Sequence, residues 1–320
     1  MRHWICTNPA SCQLMSDKIA VCIPTLNRPN MLYACLAETG KIVCPDKYEI
    51  IVIVADNDAS ATARKICDRV SPSYSYPLHY VVEPERGLSS IRNRLLKEAL
   101  SLNADWIAFI DDDEIPEPNW LVKFTEAIAE YAPDVLSGPL VQFNEGEDRP
   151  SVNKLQIKRT TGSTPRHIAT NNVMFKARLV SEQNLTFDPF YNFIGGEDFD
   201  FFSRSLSLGN RHVWIAEAIV YETVPPERMT KRYLFHRHFT GGINAVLRYK
   251  KLHNVLLSWA RYLPKIFGKL FGSLIYLFGG ILFPGSNYLK KSIKAFASAC
   301  GYVAGLLNII VERYGKIDGN

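Results

Sequence analysis

Three consecutive aspartates, Asp111, Asp112 and Asp113, follow the apolar run Trp-Ile-Ala-Phe-Ile at 106–110, and Glu114 prolongs them. Carboxylates a few ångströms apart disfavour one another's ionisation, so a buried strand that delivers them to its end calls for a cation there. Hard oxygen ligands suit Mg²⁺ or Mn²⁺, ions that share their coordination with substrate phosphates. A solvated acidic turn ahead of a helix starting near Pro118 is the plainer alternative, since acidic residues favour helix N-termini. Three further polar clusters resemble the first in placement. Pro24-Thr25-Leu26-Asn27 follows an apolar run at 18–23, Asp56-Asn57-Asp58-Ala59-Ser60 follows another at 48–55, and Gly195-Gly196-Glu197-Asp198 opens a helical stretch. In this set Asp56 is suited to accept a hydrogen bond from a base imide, Asp113 to hold a metal, and a later carboxylate to take a proton.

The elements that must position these clusters alternate in type. Residues 18–23, 48–55, 78–82 and 106–110 read as buried strands, with β-branched residues most concentrated at 48–55. Helical stretches separate them: one ending near Thr39, one through Val70 with Ser60 as its cap, and one at 89–100 with Ile91, Leu95, Leu96, Ala99 and Leu100 on one side. Such alternation predicts a Rossmann-like, doubly wound α/β sheet whose ligands lie at the C-terminal strand edge. Beyond it the pattern gives a helix at 120–131, strands at 135–143 and 169–176, a helix at 197–208, and short strands at 211–215 and 218–221.

Taken in order and spacing, four segments resemble family 2 inverting glycosyltransferases. They are Asp-Asn-Asp-Ala-Ser after a strand, Arg-Gly-Leu-Ser-Ser-Ile-Arg-Asn at 86–93, Phe-Ile-Asp-Asp-Asp-Glu-Ile-Pro, and Gly-Gly-Glu-Asp-Phe-Asp-Phe. The similarity is greatest to bacterial exopolysaccharide glycosyltransferases of the succinoglycan type, and it covers roughly residues 18–242. It implies a GT-A fold and a nucleotide-sugar donor. Pro24, Thr25, Asn27 and Asp56 would line the nucleoside pocket, Arg92 and Asn93 would flank the nucleotide, and Asp112 would lie near the ribose. Asp111 and Asp113 would form the D-x-D motif, with Asp113 the main ligand of Mn²⁺ or Mg²⁺. Asp198 would be the general base and Glu197 would help position the acceptor. Family members often carry a metal-binding His just before the Val-Pro that follows the last strand. Glu222 precedes Thr223-Val224-Pro225 here and is the substitute ligand the resemblance suggests. His236 and His238 are alternatives that would fold back over the diphosphate, and Arg228 and Arg237 are suited to phosphate contacts.

Charge divides the chain. Residues 228–320 carry 15 Lys+Arg against 2 Asp+Glu, whereas the remainder carries 22 against 30. The basic part is also apolar: 255–283 is broken only by Arg261, Lys265 and Lys269, and 295–311 is uncharged and at the lower limit for crossing a bilayer. The expected organisation is therefore an N-terminal extension at 1–17, a catalytic domain at 18–228, and a helical, membrane-associating region at 229–320 that meets anionic lipids. A pair of buried helices closing the domain is the alternative for that region. Its apolar character and the lack of a recognisable module argue against nucleic acid as a partner. Seven scattered cysteines without C-x-x-C spacing suit a reducing compartment, and residues 1–18 lack the apolar core of a signal peptide. The expected location is the cytoplasmic face of the inner membrane, peripheral or anchored by a hairpin. A lipid-linked saccharide is then the expected acceptor. Two other readings remain: a sugar-1-phosphate nucleotidyltransferase, which should have glycines and a Lys or Arg where Pro24-Thr25-Leu26-Asn27 stands, and a catalytically silent membrane-bound scaffold.

Overall fold

A computed structural model describes residues 16–165, 167–284 and 286–311. The N-terminal extension, apart from its last two residues, lies outside them, as do Cys6 and Cys12. In chain order the elements are β1 (Asp17–Thr25), α1 (Pro29–Thr39), β2 (Tyr48–Asp56), α2 (Arg64–Val70), β3 (Leu78–Val82), α3 (Leu88–Ser101), β4 (Trp106–Phe109), β5 (Glu114–Pro116), α4 (Trp120–Tyr131), β6 (Val135–Ser137), β7 (Leu140–Asn144), β8 (Val173–Lys176), α5 (Arg178–Ser181), α6 (Glu197–Ser207), β9 (His212–Trp214), β10 (Val220–Val224), α7 (Lys231–Leu252), α8 (Val255–Leu282) and α9 (Tyr288–Leu306).

Seven strands form one mixed sheet in the order β3-β2-β1-β4-β8-β6-β9. The first four are parallel, and β8 runs antiparallel between β4 and β6. The period-2 alternation of strands sorts side chains onto two faces. Ile19, Val21, Val52, Val54 and Ala108 pack with α1, α2 and α4, whereas Ala20, Cys22, Ile53, Ile107 and Phe109 pack with α3 and α6. Burial on both faces is why these strands read as continuous apolar runs.

A smaller sheet, ordered β5-β10-β7, stands beside the first. It revises the sequence reading in two places. The single strand expected at 135–143 is two strands in different sheets, broken at Gly138-Pro139. A Cβ at Gly138 would lie 2.1 Å from the Ala218 carbonyl oxygen, and the Asn172 amide donates to the carbonyls of both Pro139 and Ala218. The acidic run does not pass directly into a helix either. Glu114 starts β5, which pairs antiparallel with β10 so that Glu114 and Glu222 stand opposite. Ser60 is not a helix cap: α2 begins four residues later, and Asp56 accepts from the Ala63 amide at 2.8 Å.

Helices α7, α8 and α9 form a layered appendage. Gly242, Gly301 and Gly305 bring α7 and α9 together backbone to backbone, and a Cβ on Gly301 would lie 2.1 Å from the Phe239 carbonyl oxygen. This contact corrects the expectation for 295–311. The small apolar residues there bury Ala295, Ala297 and Ala299 within the helical layer, and α9 ends at Leu306. Among the described residues α8 alone is long and apolar enough to cross a membrane, and only 11% of its apolar window is buried.

One buried group makes the fold sensitive to acid. His212 on β9 is 3% exposed, and its Nε2 lies 3.0 Å from Ser205 Oγ on α6. Burial pushes its imidazole from 6.5 down to about 4. The unfolded chain takes up this proton near pH 6.5 and the native chain only near pH 4, so the stabilisation is complete above 6.5 and is lost as pH falls between those values. Urea unfolding of His212→Asn should therefore lose about 2 kcal/mol less than the parent between pH 7 and pH 5. Equal losses in the two proteins would show that His212 carries none of the dependence.

Candidate active site

The C-terminal ends of β1 and β4 and the first turn of α6 meet in one crevice, and each contributes charge. Asp112 is 3% exposed; its carboxylate accepts from Thr25 Oγ1 at 2.7 Å and from Arg28 Nη1 at 3.1 Å. Thr25 is thereby committed to the acidic loop, and it holds β1 and the post-β4 turn together. Asn27 lies between them in the left-handed region, with φ 49°, and turns Arg28 back over the aspartates. Arg28 Nη1 is also 3.6 Å from Asp113.

Ligand atoms of Asp111, Asp113 and Glu114 lie within 4.8 Å of one another. Glu114, only 1% exposed, accepts from the Asp111 amide at 2.7 Å and so closes the loop. Burial pushes the Asp111 carboxyl up to about 6 against the opposing pull of Arg92, and Asp113 adds to the rise. Asp112 goes up to about 7, again through burial with Arg28 opposing. Glu114 is raised well above the carboxylate range by burial and by its acidic neighbours. Close, desolvated oxygen donors of this kind fit a small divalent cation. Glu114, and not the Glu222 named from the sequence, is the third carboxylate of this group. The Glu222 oxygens are engaged by Arg228 Nη1 and Gln142 Nε2, both at 2.6 Å. Arg228 reaches Asp113 as well, at 3.2 Å, while its buried Nε has no hydrogen-bond partner among the described residues.

At the far wall, Gly195 and Gly196 have φ of 79° and 98°, a conformation side chains resist, and they lead into the first turn of α6. There Asp198 is half-buried and accepts from the Phe199 amide at 2.6 Å. Glu197 is 3% exposed and paired with Arg92 Nη1; burial pushes it up to about 7 although Arg92 opposes the rise. Its Oε2 has no hydrogen-bond partner among the described residues. Arg92 Nη2 also lies 3.6 Å from Asp111. A single guanidinium on α3 thus spans the acidic loop and the start of α6.

Two expected nucleotide residues are engaged in the scaffold. The Asn93 amide donates to and accepts from the Phe187 backbone, both at 2.8 Å, so a nucleotide contact would require that pair to open. Asp56 is fully buried and accepts from Ala63 N, Tyr80 Oη and Asp58 N, the last at 3.2 Å. Pro24 and Asn27 are half-buried at the edge of β1. His236 is exposed, and Arg237 and His238 line a cleft between α7 and α9 with Ser298 and Tyr302. Of the basic residues singled out after β10, Arg228 pairs with Asp113 and Glu222. Sequence reasoning had no signal for Arg28, nor for Asn57, whose amide pins Glu83 O, Glu85 O and Gly87 N ahead of α3.

Comparison with known proteins identifies the fold and the family. The chain is 27% identical to the succinoglycan biosynthesis protein ExoM of Rhizobium meliloti (strain 1021) over 304 residues, 93% of this chain and 95% of that protein. Among solved structures, the mannosyltransferase PcManGT from Pyrobaculum calidifontis in complex with GDP-Man and Mn²⁺ superposes with a TM-score of 0.61 at 18% identity, covering 91% of this chain and 87% of that one. TarS 1-349 of S. aureus in complex with UDP gives 0.53 at 16% identity, covering 94% and 95%. These likenesses establish a GT-A fold. The model of glycosyl transferase family 2 matches residues 20–197, from β1 to the first residue of α6. That span takes in the strand-edge loops that build the crevice, and the chain belongs to glycosyl transferase family 2 as a glycosyltransferase.

Proposed function

We propose that the chain is a metal-dependent inverting glycosyltransferase. It moves a sugar from a nucleotide-sugar donor, a UDP-sugar, to a lipid-linked saccharide in the synthesis of exopolysaccharide or another cell-surface glycan. The observation that carries this reading is the meeting of the Asp111, Asp113 and Glu114 cluster with the start of α6 through Arg92. Support for the nucleotide sugar comes from PcManGT bound to GDP-Man with Mn²⁺ and from TarS bound to UDP. Support for the glycan class comes from the ExoM likeness, which runs nearly end to end.

In this reading Asp113 and Asp111, with Glu114 beside them, hold Mn²⁺ or Mg²⁺, which when bound neutralises charge on the donor diphosphate. Asp198 accepts the proton of the acceptor hydroxyl. That oxygen bonds to the anomeric carbon from the face opposite the nucleotide, and the anomeric carbon–oxygen pair leaves with the diphosphate. Glu197 offers its open Oε2 to an acceptor hydroxyl, and Arg92 fixes the carboxyl's aim. Thr25, through Asp112, sets the floor of the nucleoside side, while Pro24, Asn27 and Asp56 border it. The basic helical region, residues 229–320, meets the cytoplasmic face of the inner membrane, where anionic lipids and the lipid-linked acceptor lie.

Calorimetry with UDP, GDP and dTDP, first with Mn²⁺ or Mg²⁺ and then with chelator, tests the donor. Metal-dependent binding of UDP is expected. Folded protein that binds no nucleotide would favour the silent scaffold. Asp198→Asn should lower kcat by about 10²- to 10⁴-fold while nucleotide affinity stays within about twofold, the behaviour of a lost proton acceptor; near-normal turnover would remove Asp198 from that role. Arg228 stands between Asp113 and Glu222 as an internal counter-charge, so a metal arriving without nucleotide competes with it. Arg228→Met should raise the affinity for Mn²⁺ alone about tenfold, the worth of one charge-assisted hydrogen bond, and weaken UDP binding in the presence of Mn²⁺. A variant that binds Mn²⁺ alone less well than the parent would contradict this competition.

A further inference from the structure

We propose that α8 lies flat in the surface of an anionic bilayer, as an in-plane anchor that embeds one face and does not span. This deepens the membrane association of the proposed function and rests on it.

The two stripes of α8 carry the argument. Leu256, Leu263, Phe267, Phe271, Leu274 and Phe278 recur at helical spacing on one face, and each is between 43% and 78% exposed. Arg261, Lys265 and Lys269, spaced four apart, run along a face roughly opposite. A contiguous exposed apolar stripe on a helix with a basic opposite face is the pattern of an interfacial helix. The uncharged part after Lys269 is about 20 Å long as a helix, short of the roughly 30 Å hydrocarbon core.

The packing of α8 opposes a transverse orientation, although the helix is long enough to span. Along its length α8 is tied to α9: Tyr262 and Tyr302 rings are 5.1 Å apart, Ser273 and Ser292 hydroxyls 3.0 Å apart, and a Cβ on Gly279 would lie 3.3 Å from the Tyr288 ring. Helix α9 is seated on α7 at Gly301, and α7 is fastened to the catalytic body by Asn244, which donates to Ile194 O, and by the Lys251–Asp188 pair. Helix α8 also touches α7 directly, through Tyr262 Oη, which donates to Ala245 O at 2.7 Å, so α8 rests on both α7 and α9 on the side away from the body. To cross a bilayer α8 would have to draw in α9 with its exposed Lys290, Lys291 and Lys294, and the charged α7 behind it. Lying flat, α8 buries its apolar stripe, and those three lysines stand beside the apolar hairpin end at headgroup level. The charge balance of residues 228–320 selects an anionic surface.

The test uses the full chain and vesicles of phosphatidylcholine, alone or with phosphatidylglycerol. Sedimentation with the anionic vesicles should exceed that with the neutral ones. Replacing Lys290, Lys291 and Lys294 by Gln should weaken it roughly fivefold per lysine. Phe267→Ser with Phe271→Ser should weaken binding to both vesicle types by at least about tenfold. Alkaline carbonate should release the parent from cell membranes. Retention in the carbonate pellet would overturn the flat orientation, since a spanning segment resists it. Indifference to both vesicles, or a dimer in solution that buries α8, would overturn the lipid partner itself. Thermal melting by circular dichroism confirms that the variants fold, and nucleotide binding measured apart from vesicles separates failure of this inference from failure of the transferase reading.

Discussion

Everything around the crevice answers one electrostatic demand, the desolvation of four successive carboxyl groups at the end of a dry strand. Phe109 is fully buried, and the acidic run begins two residues later. Such groups stay ionised only with cationic or hydrogen-bonding partners, and isolated buried carboxylates neutralise instead. Three arginines from three parts of the chain meet the demand: Arg28 after β1, Arg92 on α3 and Arg228 after β10. The same arginines hold the surrounding elements in place. Arg92 joins the acidic loop to α6, and Arg228 joins it to the small sheet. A bidentate, planar cation suits such bridging better than lysine would.

The parallel half of the sheet was legible because its strands are buried on both faces, so composition alone marked 48–55 and 106–110. Helices α3 and α4 were legible through periodicity. The small sheet was not. Its strand β5 is three residues long and starts with a glutamate, so no pattern of alternation could show it. The break between β6 and β7 rests on how closely Gly138 meets the Ala218 carbonyl, a contact between residues 80 apart in sequence. Within the site, the aspartate run and the Gly-Gly-Glu-Asp turn announced themselves by local charge and glycine. The pairing of Arg28 with Asp112, and of Arg228 with Asp113, joins residues whose separation leaves no local trace. Glu114 was in plain sight, yet its role depends on the backbone of Asp111 and on β10, neither of which composition reveals.

The tail taught a different lesson. Alanine- and glycine-rich sequence at 295–311 has the hydropathy of a membrane segment, but small residues also permit close helix contact, and in α9 they serve that purpose. Hydropathy averages a helix over its circumference. The exposed stripe of α8 and the buried stripe of α9 differ in what lies against them, which the average discards.

The glycine contact between α7 and α9 has a geometric consequence. Where Gly242 meets Gly301 no side chain lies between the two backbones to rearrange, which restrains the helices from sliding or rolling there. The seam therefore restrains the angle of α9, and of α8 packed on it, to the catalytic body. A seam of small residues far from the chemistry thereby sets how the exposed stripe of α8 is turned relative to the crevice.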